Sequence, residues 1–444
     1  MTYDYIVVGA GIAGLLTGSV LLKRGSTVIV VDKNKSAGGY LQDLSPGIPF
    51  GAHHIGIPNR KLLGQFCEEL GLSVNQHLRN ADNVTVVCRG RKIPLSLNLS
   101  EQKEQLTELF PDEAEGICGY YKYLTDFSEV LYSDDDKTVR KYFIELANVT
   151  FEKFLEKFFQ DEDLIGLLSF IGPSYGGVNK GDSAFTFASL IVTYGSGAYY
   201  LDTGWLIDQL EKCVKEDTHG GIRYKFEACS MQYIHENSCY EVTDRSGRKE
   251  YGRKIIFAGY FAEILGDYCG RNRISNNALK KIFSMEAGPS AYRFYFRTEK
   301  KVQRHEWICM DDIPAIVSAL EEDACNVMVT FVTDEKRTKE EYEMLAKKLV
   351  AEMLQIEAAE ISLVLTSTPE HKLKMTANKG GAVFGWKRSN SNNMTANLIY
   401  GLQRYVNNVY VVGNWSATFG FFGVLYTVAK FLRNQSIELK GIPL

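Results

Sequence analysis

Gly9, Gly11 and Gly14 stand in the run Gly9-Ala10-Gly11-Ile12-Ala13-Gly14, and an acid, Asp32, follows after a second apolar segment. Each residue type in this G-x-G-x-x-G spacing has a physical use. Gly9 permits a tight turn. Gly11 lets the backbone come close to a bulky anion. Gly14 lets a helix pack closely on a strand. Ile12 and Ala13 sit where the unpaired N–H groups and positive end of a helix would meet phosphate oxygens. Asp32, followed by Lys33, stands where a carboxylate can accept hydrogen bonds from the 2′- and 3′-hydroxyls of a ribose, and its charge would repel a 2′-phosphate. The chemistry implied is dinucleotide binding.

These residues need a strand, a turn, a helix and a second strand to position them. Tyr5 to Val8 is an apolar run of the kind that forms a fully buried parallel strand. Ile12 to Arg24 reads as a helix that Gly25 stops, and Thr27 to Val31 reads as the second strand. The stretch from Ile6 to Leu22 carries no charge and could be mistaken for a signal-peptide core. Asp4 precedes it where a basic segment belongs, and glycines interrupt it. A buried strand passing into a buried helix is the reading its glycine spacing favours. At the other end, Asn408 to Gly413 reads as a buried strand. A loop from Asn414 to Thr418 follows, and Gly420-Phe421-Phe422-Gly423-Val424 opens a final helix. Between these ends, Ile255 to Gly259 is another buried strand. Ala291 to Arg297 alternates in the manner of a half-buried strand, and Asn326 to Thr333 is a further strand candidate. Tyr342, Leu345, Leu349 and Met353 share one helix face.

Composition bounds the answer from outside. The chain has 444 residues, and at roughly 100–200 residues per domain two or three domains are expected. Lys and Arg number 50 against 54 Asp and Glu, a net charge of −4, so no basic field is available to hold a nucleic-acid backbone. Nine cysteines are scattered without a C-x-x-C, and seven histidines give no H-x-x-x-H pair. Reduced thiols, a cytoplasmic setting and no metal centre are the expectations.

Three blocks resemble known flavoproteins. Gly38-Gly39-Tyr40 follows Asp32 closely, as does the second phosphate-side loop of two-dinucleotide-domain flavoproteins, although Tyr40 replaces their usual Arg or Lys. Gly413-Asn414 and Gly420 to Val424 resemble their closing FAD motif, with Asn414 where many have Asp. Met231 stands where such proteins touch the adenine through the backbone. Taken together with Gly51-Ala52-His53-His54-Ile55-Gly56, Ser183-Ala184-Phe185, Gly197-Ala198-Tyr199-Tyr200 and Gly381 to Trp386, the chain resembles the phytoene desaturase, carotenoid isomerase and retinol saturase group of FAD-dependent oxidoreductases, itself related to the flavin amine oxidases. The resemblance implies an α/β fold, a Rossmann-type FAD-binding domain with an inserted α+β substrate domain. Residues 1–75, 200–275 and 385–444 would form the first, and 76–199 and 276–384 the second. It also implies non-covalently held FAD, since no cysteine stands at Thr418-Phe419-Gly420, where a covalent flavin link would be made.

In such enzymes hydride passes between a substrate carbon and flavin N5, and the protein supplies orientation, desolvation and a proton-transfer group. His53 and His54 are the candidates for that group. Tyr194, Tyr199, Tyr200, Phe384, Trp386 and Phe421 are candidates for lining the substrate pocket. The resemblance implies an apolar, lipophilic small-molecule substrate whose C–C bond is desaturated or saturated. Amine oxidation at a C–N bond, isomerisation from reduced flavin, and a non-catalytic flavoprotein are the alternatives. An apolar cluster, Phe154-Leu155-Phe158-Phe159 with Leu164, Leu167 and Leu168, leaves peripheral membrane contact open. The sequence carries no signal for an oligomeric state.

Overall fold

Apolar runs without alternation need cover on both faces, and the N-terminal strands receive it. In the computed structural model of the chain, the residues described are 1–45, 48–51, 54–58, 61–131, 136–146, 148–311, 313–320, 324–333, 337–418 and 420–439. His53 lies outside them. Strands Gly220–Arg223, Val28–Val31, Thr2–Val8, Lys249–Phe257 and Val409–Val411 run parallel, in that order. Strand Lys249–Phe257 forks. Its second half pairs with Val409–Val411, while its first half pairs antiparallel with Cys239–Asp244, which continues to Ala228–Ile234. Helix Ile12–Lys23 is buried from Ile12 to Leu22, wedged between the sheet and helices Thr203–Lys215 and Gly420–Asn434. An all-round apolar helix requires such burial, which accounts for the uncharged stretch.

The second sheet has seven strands, ordered Ile361–Ser367, Ser290–Val302, Ala324–Thr333, Ala315–Ala319, His305–Cys309, Asn83–Cys88 and Arg91–Ser96. Neighbours are antiparallel except His305–Cys309 with Asn83–Cys88. Because side chains alternate along a strand, the two faces separate cleanly. Phe294, Phe296, Val317, Val327, Val329 and Phe331 face helix Lys339–Leu354 and pack on its Tyr342, Ala346 and Val350. Ala291, Arg293, Glu306, Ile316, Ser318, Met328 and Thr330 face the other way, into a cavity.

A helical block, residues 99–195, packs around a third cluster. Phe154, Leu155, Phe159, Leu164, Leu167 and Leu168 are all buried within it, and Phe158 packs against it. The cluster offered above as a membrane-facing patch is therefore core, because the helices fold its apolar sides onto one another. A small sheet of His54–Gly56, Ala198–Leu201 and Leu78–Asn80 lies between this block and the N-terminal helix bundle. No helix among the described residues is long and apolar enough to cross a membrane.

Candidate functional site

The glycine turn has the shape its residue types require. Gly9 lies at φ +113°, and a Cβ on Gly14 would sit 1.9 Å from the Gly9 carbonyl oxygen. Gly11 differs: a Cβ there would meet no atom within 4 Å, so the turn leaves open space in front of it. Gly38, at φ +120°, donates its N–H to the Ala10 carbonyl at 2.9 Å and draws the second loop alongside the first. Asp32 accepts from the Ala10 N–H at 2.7 Å and from the Asn34 N–H at 2.8 Å. Burial pushes its carboxyl pKa up, outweighing the lowering by those two bonds.

The C-terminal loop closes on the same space. Gly413, at φ +85°, donates its N–H to Thr427 Oγ1 at 2.8 Å, which fixes the loop to the last helix. Asn414 Oδ1 is buried with no hydrogen-bond partner. Gly420, Phe421 and Val424, at the start of helix Gly420–Asn434, line the cavity with Asn414.

One cavity joins these loops to the second sheet. Among the residues expected at the site, Gly9, Gly11, Ile12, Ala13, Asp32, Gly38, Gly39, Tyr40, His54, Tyr194, Phe384, Asn414, Gly420, Phe421 and Val424 line it. Gly14, Gly413 and Gly423 do not; they shape the loops from behind. Among the described residues, four polar atoms of its lining besides Asn414 Oδ1 have no partner: His54 Nε2, Ser174 Oγ, Arg293 Nε and Thr330 Oγ1. Buried polar groups are normally hydrogen-bonded. Five orphans around one cavity mark a place built for a polar guest.

Several expected residues point elsewhere. Lys33 spends its ammonium on the Lys374 carbonyl, at 2.5 Å, beyond the ribose acid. Met231 is buried in the hairpin strand Ala228–Ile234, and its carbonyl accepts from Arg271. The backbone that closes on Asp32 belongs to Phe226, whose N–H donates to the Asp32 carbonyl at 2.8 Å. Trp386 is core rather than pocket. Its indole N–H donates to the Trp415 carbonyl at 2.8 Å and its ring packs on Trp415, Tyr260 and Phe261. Gly385, at φ +74° and pressed against the Asn414 carbonyl, turns the chain inward there. Phe422 packs against the N-terminal core. Tyr199 and Tyr200 stand behind the cavity, on the strand that pairs with His54–Gly56. Tyr200 still touches the site from behind, its ring centroid 5.1 Å from that of His54.

The sequence reading missed the residues that surround His54. Glu306, 1% exposed, places Oε2 at 2.5 Å from His54 Nδ1. Tyr175 donates its hydroxyl to the same oxygen at 2.5 Å, and Ser318 donates to Oε1 at 3.0 Å. Tyr194 donates to the His54 carbonyl at 3.4 Å and stacks on Tyr175 at 4.5 Å. One signal was available for Glu306. It shares strand parity with Ile308, which is wholly buried, so the acid had to face inward too.

The N-terminal strands, the glycine turn and the parallel sheet define a Rossmann-type α/β fold. Residues 7–65 match the NAD(P)-binding Rossmann-like domain family. The chain is 28% identical over 224 residues to the all-trans-retinol 13,14-reductase of Danio rerio, across 44% of this chain and 37% of that protein. It is 37% identical over 142 residues to the hydroxyneurosporene desaturase of Rubrivivax gelatinosus, across 30% of this chain and 27% of that protein. Among solved structures, the cyclohexylamine oxidase of Brevibacterium oxydans superimposes with a TM-score of 0.67 at 13% identity, covering 98% of this chain and 100% of that one. By sequence, parts of the chain are similar to a retinol reductase and to a hydroxyneurosporene desaturase, and its fold is similar to that of an amine oxidase. The matched stretch is well under half the length of either curated relative.

Proposed function

We propose that the chain is an oxidoreductase that holds FAD non-covalently and acts on a carbon–carbon bond of a small, largely apolar substrate. The observation that carries this reading is one continuous cavity. It begins at the glycine turn and Asp32 and ends in a chamber floored by the second sheet. The residues present fit the cofactor. Open space before Gly11 suits a pyrophosphate, the buried Asn414 Oδ1 lacks a partner, and Asp32 retains lone pairs beyond the two N–H bonds it accepts. Gly11 with the N–H groups of Ile12 and Ala13 would hold the phosphates, Asp32 the ribose, and Asn414 with Gly420 to Val424 the flavin end. FAD bound there would supply reversible two-electron chemistry.

The chain's own part is confinement and polarity. Phe384, Phe421, Ile316, Met328 and Val332 are apolar walls that exclude water from the chamber. His54, Ser174, Arg293 and Thr330 offer it polar atoms. The likeness to a retinol 13,14-reductase and a hydroxyneurosporene desaturase supports a C–C substrate. The polar chamber, together with the amine oxidase fold, supports amine oxidation as the second reading. Purified protein should be yellow, and acid should release FAD into the supernatant. Colourless protein that takes up no added FAD refutes the proposal, and flavin remaining on the precipitate refutes its non-covalent part.

A further inference from the structure

The geometry points to His54 as the proton-transfer group of the chamber, with Glu306 as the positioning residue that keeps Nε2 free for substrate. This rests on the oxidoreductase reading above. His54 presents two different nitrogens. Nδ1 meets the Glu306 carboxylate at 2.5 Å and lies 3.2 Å from the Tyr175 hydroxyl, while Nε2 is buried, has no partner among the described residues and belongs to a residue that lines the cavity. Glu306 is an acceptor surrounded by donors: Tyr175 and Ser318 both give it hydroxyl protons. Burial and the neighbouring carboxylate hold the Tyr175 phenol pKa well above its ordinary value, so that proton stays on tyrosine. Against that carboxylate Nδ1 is held as N–H, a donor like the two hydroxyls. A proton fixed on Nδ1 leaves the Nε2 lone pair aimed at the guest.

The same carboxylate stabilises an imidazolium once Nε2 takes a proton. In removal of two hydrogens from adjacent carbons, FAD held in this site would be the two-electron acceptor for the hydrogen that leaves with its electron pair. The other C–H bond breaks with its pair remaining as the new π bond. Its proton forms an N–H bond at Nε2. In the opposite direction, addition across a double bond, imidazolium Nε2–H returns that proton. The groups facing His54 are few. Tyr175, Tyr194 and Tyr200 come from three different elements, Glu306 from the second sheet, and Phe421 and Val424 line the cavity from the last helix. Arg304 lies beyond the Tyr200 ring, 4.8 Å from its centroid, and Arg293 lines the same cavity. Glu306 is thus the carboxylate in contact with the imidazole.

Ring-labelled histidine NMR on the flavin-loaded, oxidised protein tests this, with the His54 signals assigned by His54→Gln. The neutral ring of the wild type should be the Nδ1-protonated tautomer. Glu306→Gln should lose that preference, because the amide offers Nδ1 a donor as well as an acceptor, and turnover should fall with it. Tyr175→Phe should keep the tautomer, because Glu306 still accepts from Nδ1. An Nε2-protonated tautomer in the wild type, or an unchanged tautomer in Glu306→Gln, overturns the proposal. If Glu306→Gln does not fold, Tyr175→Phe decides alone: the Nδ1-protonated tautomer supports the pair, and its loss overturns it. Failure of the flavin reading would show separately, as protein that binds no FAD while its His54 ring still shows the Nδ1-protonated tautomer.

Discussion

Replacing Gly11 with alanine separates the cofactor's space from the fold's. Gly11 has φ −76° and ψ 178°, a backbone that alanine adopts without strain. A Cβ there meets no protein atom within 4 Å. The cofactor-free protein should therefore lose nothing to strain. The gain of about 0.4–1 kcal/mol from alanine's fewer unfolded conformations is set against its poorer capping at the helix start, where Gly11 is the N-cap, so stability should stay close to that of the wild type. The added methyl does occupy the space assigned to the pyrophosphate. Displacing that group by even a small distance would forfeit about two charge-assisted hydrogen bonds at roughly 1.5–3 kcal/mol each. At 1.4 kcal/mol per tenfold, FAD affinity should fall by about 10²- to 10⁴-fold. Thermal melting of the cofactor-free protein and equilibrium binding of FAD, followed by quenching of its fluorescence, read the two effects independently. Unchanged FAD affinity would refute the placement of the pyrophosphate. A melting temperature several degrees lower would refute the open-space argument. Gly14→Ala is the contrasting control, since its Cβ lies 1.9 Å from the Gly9 oxygen and the cofactor-free fold itself should suffer.

Asp32→Ala should weaken FAD binding by about ten- to a hundred-fold, from the loss of roughly 1.5–3 kcal/mol of charge-assisted bonding. It should also lower the melting point of the cofactor-free protein, because the Ala10 and Asn34 N–H groups lose their acceptor; binding titration and calorimetry check each part. Mixing with NADPH under anaerobic conditions should bleach the flavin band only slowly, since the sequence carries one dinucleotide fingerprint; bleaching within about a second, on the timescale of ordinary turnover, would reveal a nicotinamide site. Burial pushes the Cys67 and Cys269 thiols up to about 11 and Cys309 up to about 12, whereas Cys118 and Cys229 are exposed. Since the thiolate is the nucleophile, iodoacetamide near neutral pH should label Cys118 and Cys229 first. Rapid labelling of Cys309 in native protein, seen by peptide mass spectrometry, would contradict that burial.

The parts of the site that could be read from sequence are those whose chemistry is local along the chain. A turn that needs glycine at Gly9 and Gly14 writes its requirement into six consecutive residues, and Asp32 follows because a strand has a fixed length. The closing loop at Gly413 and Gly420 is legible for the same reason. The environment of His54 is not local. Glu306 lies 252 residues away and Tyr175 lies 121 away, so only the fold brings them to one point. The aromatic candidates split on backbone geometry. Tyr194 and Phe421 reach the cavity, while Gly385 turns Trp386 into the core, and nothing in the alternation of residues 381–386 distinguishes the two outcomes in advance.

The second sheet has two faces with separate duties. Residues such as Phe294, Val317 and Val329 lock it to a helix, while their immediate neighbours Arg293, Ser318, Met328 and Thr330 form the chamber floor. Adjacent residues therefore answer to different physical demands, packing on one face and the chamber on the other. The floor can be rewritten residue by residue without repacking the layer beneath, so a new substrate preference can emerge on an unchanged scaffold. A library confined to positions 291, 293, 316, 318, 328, 330 and 332 would search that space while leaving both the helix contact and the dinucleotide loops untouched.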